Sequence, residues 1–221
     1  MKNLSLCLWL VLLASCQSAY VDENGNTYGD WSSMTANGLT DFEQKGGKAI
    51  YEFKDGVVIG KTRPKTANSF MCTKKLYSDF ELEYEFLVDP MLNSGVQFRS
   101  NVKKQKDGSD RVWGYQAEID PSSRAWSAGI YEEAGRGWLN NLKENPAAQK
   151  AFKQNDWNKV RILAIGDSIK TWINGVTAAD LKDDKTATGF IALQVHSVRY
   201  SEERLIQWRN LKIREIEAKK K

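Results

Sequence analysis

The chain has 221 residues, 32 of them basic and 28 acidic, for a formal net charge of +4. Its basic residues are scattered apart from the closing Ala-Lys-Lys-Lys, and so small and diffuse a charge excludes an electrostatic footprint for nucleic acid. Eight tryptophans are more than a core of this size usually takes, which points to aromatic side chains lining a surface that binds flat or sugar-like faces.

The first element is a leader. Lys2 gives a short positive region, Leu4 to Leu13 an apolar run, and Leu13-Ala14-Ser15-Cys16 a small-residue site ending in cysteine. The run is about ten residues, half of what a membrane-spanning helix needs. Cysteine after Leu-Ala-Ser resembles the lipobox of bacterial lipoproteins. That reading makes residues 1–15 a signal peptide and Cys16 the lipidated first residue of a protein held in the bacterial cell envelope. Gln17 in place of an aspartate favours the outer membrane by the enterobacterial sorting rule, and the lipid anchor is then the sole contact with a membrane.

Cutting before Cys16 leaves roughly 200 residues, enough for one large all-β domain. Only Cys72 remains, so no intrachain disulfide is available and a packed core must supply the stability. One cysteine and one histidine cannot form a zinc cage. No cofactor is called for, and a divalent metal, oxygen-ligated or held by His196 with carboxylates, stays open.

Residues 16–37 are polar, glycine-containing and without period, which suits a tether. The folded body is expected over residues 38–216, with a basic tail at 217–221. In "DFELEYEFLVD", Phe80, Leu82, Tyr84, Phe86 and Val88 alternate with Glu81, Glu83 and Glu85, the period of a strand. "SGVQFRS" sets Val96 and Phe98 against Gln97 and Arg99. "GYQAEID" places Tyr115, Ala117 and Ile119 on one face and Gln116, Glu118 and Asp120 on the other. "NPAAQKAFKQ" predicts a short helix with Pro146 at its first position. "NKVRILAIGDSIKTWING" predicts a hairpin turning at Gly166-Asp167. In "TGFIALQVHS", Ile191, Leu193 and Val195 oppose Ala192, Gln194 and His196, and "IQWRNLKIREI" closes the chain as a strand. Many short strands and almost no helix predict an all-β sandwich of two antiparallel sheets.

The segments "NSGVQFR", "GYQAEIDPSSRAWSAGIYEEAGRGWL", "DWNKVRILAIGDSIKTWINGV", "TGFIALQVHS" and "WRNLKI", in that order, resemble the bacterial DUF1080 family, also called the 3-keto-disaccharide hydrolase domain. The resemblance covers about Leu76 to Ile213. It implies a concanavalin A-like jelly roll, export, and action on glycosides whose sugar carries a ketone at carbon 3. Many members read Tyr-Glu-Val-Gln where this chain has Tyr115-Gln116-Ala117-Glu118, so carboxylate and amide have traded places. The acid then sits one pleat, about 6.6 Å, along the strand.

A ketone at carbon 3 acidifies the hydrogen on carbon 2. A base removes it, the enolate expels the group on carbon 1, and water adds back. Such a route needs a base near neutral pKa, a cation or donors for the enolate oxygen, and an acid for the leaving group. The polar strand phases offer Glu81, Glu83, Glu85, Gln97, Arg99, Gln116, Glu118, Asp120, Gln194 and His196, if the fold brings the strands to one curved face. His196, the sole imidazole, suits the base role. Glu118 and Asp120 are candidates for base, orienting partner or metal ligand, against a reading as solvated acids. Arg99 is the candidate for the enolate oxygen, with a structural ion pair as its alternative.

In the glycine-rich loop, Trp126 and Trp138 are candidate walls for a sugar and Arg124 or Arg136 candidate donors to its hydroxyls, with Tyr131 and Glu133 among the expected substrate contacts. Gln116 and Gln194 complete the expected substrate-binding set, and the alternative is that the tryptophans plug the sandwich edge. Glu118-Ile119-Asp120 is also similar to the start of the jelly-roll glucanase signature. Pro121, Ser122 and Ser123 follow, so the second glutamate of a retaining pair is missing. Two non-enzymatic readings stay open, a carbohydrate-binding module and an envelope scaffold that binds protein. Oligomeric state is unreadable.

Overall fold

A computed structural model of the chain describes residues 20–199 and 202–219. The leader, Cys16 and the last two lysines lie outside the described residues. Seven strands open the order: β1 (Tyr20–Val21), β2 (Thr27–Tyr28), β3 (Ser32–Ser33), β4 (Phe42–Gly46), β5 (Ile50–Lys54), β6 (Val57–Lys61) and β7 (Ser69–Thr73). Next come β8 (Phe80–Val88), β9 (Ser94–Lys104), β10 (Asp110–Ile119), β11 (Ile130–Glu133), β12 (Gly137–Asn140) and the helix α1 (Pro146–Ala151). Last are β13 (Asn158–Ile165), β14 (Ser168–Ile173), β15 (Val176–Lys182), β16 (Phe190–Val195) and β17 (Leu205–Glu217).

They form two antiparallel sheets, the jelly-roll sandwich expected. One has ten strands, with β17, β8, β13, β14 and β15 as its spine, and the other has seven in the order β12-β11-β10-β9-β16-β7-β4. The hairpin turns where expected, Ile165 pairing with Ser168 across Gly166-Asp167, and Gly166 takes the positive φ of 54° that a tight turn asks of a glycine. Asn145 caps α1, its side-chain oxygen accepting from the Ala148 N–H at 3.2 Å. Residues 20–37, expected as a tether, instead supply β1 and β2, which pair with each other, and β2 and β3, which pair with β17. Tyr28 and Met34 there are buried. Two-residue strands leave no period to read, which is why a polar stretch hides them.

The alternation in β8 sorts as its period predicts. Phe80, Leu82, Tyr84, Phe86 and Val88 enter the core between the sheets with Val96, Phe98, Tyr115, Ala117, Ile119 and Leu193. Glu81, Glu83 and Glu85 face the other way and are matched by basic residues of β13 and β17. Glu81 pairs with Arg161 and Arg214, Glu83 with Lys159 at 2.9 Å and Lys212 at 3.0 Å, and Glu85 with Arg209 at 2.7 Å. These acids are therefore a cross-strand charge ladder on the ten-stranded sheet, and they do not share a face with Glu118.

Cys72 lies in a small apolar cluster with Phe70, Val112, Phe190 and Ala192 on the opposite face of the seven-stranded sheet from the main core. Burial pushes its thiol far up, so it is an inert packing group.

Arg99 departs from its expected place. Asn101 pairs with Trp113 and Phe98 with Tyr115, so Arg99 and Ser100 together face the single residue Gly114, which is a β-bulge in β9. Arg99 takes φ 45°, and the extra residue reverses the pleat. Its guanidinium turns to the other sheet and is buried there. It donates to Ser78 O, Gly166 O and Asp79 Oδ1, each at 2.7 Å. Each of its three nitrogens is engaged in tying one end of the sandwich, which corrects the expectation of an enolate-binding cation. Removing one member of so buried a pair is expected to cost about 3 kcal/mol. Arg99→Met should show that loss in urea unfolding; a loss under about 0.5 kcal/mol, the size of an ordinary surface substitution, would refute the role.

Candidate functional site

The site lies on the outward face of the seven-stranded sheet. Because Ala117 and Ile119 point into the core, Gln116 and Glu118 point out. Gln116 is paired in register with Gln97 of β9 and Tyr131 of β11, and Glu118 with Gly95. Gly95 in turn pairs with Gln194 of β16, and Gln97 with Ala192. Glu118, Gly95 and Gln194 thus form one row across three strands, with the outer two about 10 Å apart at Cα. A side chain on Gly95 has no room, since a Cβ there would come within 2.5 Å of the Gln116 side chain. Gln116 fills that gap.

An outward face is ordinarily wet. Here Gln97, Gln116, Glu118 and Gln194 are all 5% exposed or less, so neighbouring side chains cover them and each polar atom needs a protein partner. Asn93 Nδ2 donates to Glu118 Oε1 at 2.6 Å and Gln116 Nε2 to Glu118 Oε2 at 2.7 Å. Behind them, Gln97 Nε2 donates to Gln116 Oε1 at 2.6 Å and Ser100 Oγ to Gln97 Oε1 at 2.7 Å. The traded positions of amide and acid therefore leave the two in direct contact. Gln194 differs, since neither its Nε2 nor its Oε1 has a protein partner. Such an orphan calls for an occupant, water or ligand.

Burial pushes the Glu118 carboxyl up to about 7, helped by Asp120 and Glu133 and opposed by the two amide donors. Glu133 is likewise raised by burial, with Arg111 and His196 pulling it down, and Arg111 pairs with it at 3.1 Å. His196 follows β16 in the phase of Gln194 and is half-buried, with Nδ1 2.9 Å from Ser197 O. A carbonyl only accepts, so Nδ1 carries the proton in the neutral ring and Nε2 keeps a lone pair.

Asp120 ends the row in a different role. Its Oδ1 accepts from Ser122 N at 3.1 Å, its N–H donates to Ser127 Oγ at 3.0 Å, and Arg124 pairs with Oδ2 at 3.0 Å. It shapes the loop rather than the groove floor. The Arg124 guanidinium lies over the Trp126 ring, 4.9 Å from its centroid. Trp126 meets Trp138 edge to face at 5.0 Å, and Trp138 meets Tyr131 at 5.4 Å. Tyr131 and Trp138 are register partners on the Gln116 face, whereas Trp126 also packs against the main core, so it both plugs the edge and flanks the groove.

Arg136 stands apart. It is bound by Glu132 and by both oxygens of Asp183, at 2.7 and 2.9 Å. It lines a basin of about 780 Å³ with Lys103, Arg111, Trp113 and Lys185 at the hairpin end of the sheet. Of the expected set, the fold gathers Gln116, Glu118, Gln194, His196, Tyr131, Glu133 and Trp138, with Asp120, Arg124 and Trp126 at the rim; Arg99 and Arg136 lie elsewhere. Asn93, Ser100 and Arg111 were not expected. Asn93 sits in a loop and Ser100 on the far side of the bulge, so neither follows a strand period. Among the described residues, no group of three or more His, Cys, Asp or Glu is placed to hold a metal ion.

An antiparallel jelly roll with buried amides and an acid on one outward face, edged by aromatics, is a glycosyl hydrolase-like or carbohydrate-binding domain. The chain belongs to the 3-keto-alpha-glucoside-1,2-lyase-like domain family, whose model matches residues 22–214. Among solved structures it is similar to a candidate glycosyl hydrolase of Parabacteroides distasonis (20% identity, 85% of this chain and 100% of that one, TM-score 0.56). It is also similar to the carbohydrate-binding module CBM66 of Bacillus subtilis (17%, 77% and 96%, TM-score 0.54). A Bacillus subtilis protein with a galectin-like fold aligns at 10% identity over 87% and 97%, TM-score 0.61. At these identities the likenesses establish the fold alone. No match is found among curated proteins.

Glu118 makes a prediction for stability. A glutamate that ordinarily titrates near 4.5 is here raised to about 7, so between those values the native state holds a proton the unfolded chain has lost. Stability then falls as pH rises through this window and levels off above it. The Glu118→Gln variant should lack this fall, on the order of 3 kcal/mol, when urea midpoints are compared at about pH 5 and about pH 8. An equal pH dependence in both proteins would refute the assignment.

Proposed function

We propose that the protein cleaves 3-keto-glycosides by proton abstraction at carbon 2, elimination and rehydration, with His196 and Glu118 as the two proton-transfer groups. The observation that carries this reading is a buried carboxyl, raised to about 7 and held by two amide donors, on the sheet face whose phase His196 follows. His196 Nε2 takes the carbon 2 proton, leaving electron density on the carbon 3 oxygen. Asn93 uses one N–H on Glu118, so it keeps a second to offer that oxygen, the role Arg99 cannot fill. Glu118 in its acid form gives its proton to the departing carbon 1 oxygen. In the second half, the Glu118 carboxylate accepts a proton from the water that adds to carbon 1, and the imidazolium returns its proton to carbon 2. Protons and electrons balance to a net hydrolysis, or to a lyase product if the enone leaves first.

Tyr131 and Trp138, with Trp126 at the rim, would hold the sugar face and Gln194 a hydroxyl at the floor. The lipobox at Cys16 supports an envelope-anchored protein acting on a glycoside of unassigned aglycone. A second reading, a binding module without chemistry, is favoured by the aromatic edge alone.

Phenol release from an aryl 3-keto-glucoside is the test. Glu118→Gln and His196→Ala should each lower kcat by about 100-fold or more, and kcat/KM should fall as pH rises through about 7, where Glu118 loses its proton. Undiminished release in the double variant would overturn the site. No release from the wild type, with sugar affinity that drops in Trp138→Ala, would establish the module instead.

A further inference from the structure

The side chains behind Glu118 form a one-dimensional file: Ser100 Oγ, Gln97, Gln116, then the carboxyl, linked at 2.7, 2.6 and 2.7 Å. Every link is polarised toward Glu118, the arrangement that suits a carboxylate, which can only accept. The protonated acid needs an acceptor instead, and the same heavy atoms can supply one. A half-turn of the Gln116 amide puts its oxygen opposite Glu118 Oε2 and its nitrogen opposite Gln97. A half-turn of Gln97 then puts nitrogen opposite Ser100 Oγ, which accepts through a lone pair.

The Ser100 hydrogen, displaced from Gln97, still has partners, for Phe98 O lies 3.1 Å and Tyr115 O 3.2 Å from the same oxygen. In both directions each link of the file sets one donor against one acceptor. Asn93 donates to Oε1, and with that donor kept in both states the proton falls to Oε2, the Gln116 side.

We infer that Ser100, Gln97 and Gln116 act as positioning residues forming a reversible amide file, whose two amides turn together each time Glu118 gains or loses its proton. The inference deepens the proposed reaction, in which Glu118 must be acid in one half and carboxylate in the other. A fixed set of donors would stabilise one form and burden the other, since a buried unpaired polar group costs about 1–3 kcal/mol. A reversible file keeps its three links in both forms.

Other titratable groups around Glu118 do not supply the missing acceptor. Asp120, just past the end of β10, is engaged by Arg124, and Glu133 on β11 by Arg111. Tyr131 is paired with Gln116, and β9 presents only Gly95 and Gln97. His196 at the end of β16 uses Nδ1 on Ser197. The Tyr84 hydroxyl on the other sheet is kept neutral by burial and by the Glu118 charge, and it makes no hydrogen bond to Glu118.

The test uses the ligand-free protein, so it does not depend on turnover. With labelled glutamine side chains, cross-relaxation from the Gln97 amide protons should run to Gln116 at about pH 9 and to the Ser100 β-protons at about pH 5. The switch should share its midpoint with the Glu118 carboxyl carbon. Glu118→Gln, whose amide nitrogen can only donate toward Gln116, should show the low-pH pattern at every pH. In Ser100→Ala the acid form loses an acceptor for a buried N–H, a larger cost than an under-filled carbonyl, so the midpoint should fall by about 0.5 to 1 pH. An amide pattern that stays fixed while Glu118 titrates, or an unchanged midpoint in Ser100→Ala, would overturn the file. Failure to cleave a 3-keto-glycoside, with the switch intact, would overturn only the reaction.

Discussion

A carboxyl group buried on the outward face of a sheet must find protein partners for both oxygens, and the seven-stranded sheet is built around meeting that demand at Glu118. Two amides reach it directly and two further side chains orient one of those amides. The arrangement needs a strand neighbour with no side chain, and Gly95 supplies it. It also needs a third-row residue facing outward where simple alternation would put a different one, and the bulge delivers Ser100 there. The aromatic edge and the rim ion pairs then fence a floor whose electrostatics are already set.

The two sheets divide polar residues by purpose. On the ten-stranded sheet, Glu81, Glu83 and Glu85 meet basic partners that are partly exposed, and such pairs add little individually while fixing strand register. On the seven-stranded sheet Glu118 is buried and held by neutral amides, while Asp120 and Glu133 beside it meet arginines. That difference is what raises Glu118 and leaves it able to exchange protons near neutrality. Among the described residues no cation acts on it, which sends any anionic intermediate to neutral donors.

Much of this was legible in the residues themselves. The alternation of "GYQAEID" puts Gln116 and Glu118 on one face, the Gly166-Asp167 turn defines its hairpin, and the five phrases in order carry the family. What periodicity does not hold is which strands are neighbours. The glutamates of β8 have the same period as those of β10 yet belong to the other sheet. Arg99 was lost for a sharper reason, because one inserted residue reverses the pleat and only the pairing partners reveal it. Asn93 was missed because a loop residue just before a strand carries no pattern, and residues 20–37 because strands of two residues are shorter than any period.

The bulge in β9 places Arg99 and Ser100 side by side in the chain with opposite duties. One is clamped into the far sheet by three donors, and the other steers the amides beneath the groove. A strain that lifts the far sheet from this end would be handed across a single peptide bond to the floor of the cavity. Fidelity of the chemistry and rigidity of the sandwich are thereby geared to each other, and a mutation that softens the distant hairpin around Gly166 would be felt first as a blurred proton inventory rather than as unfolding.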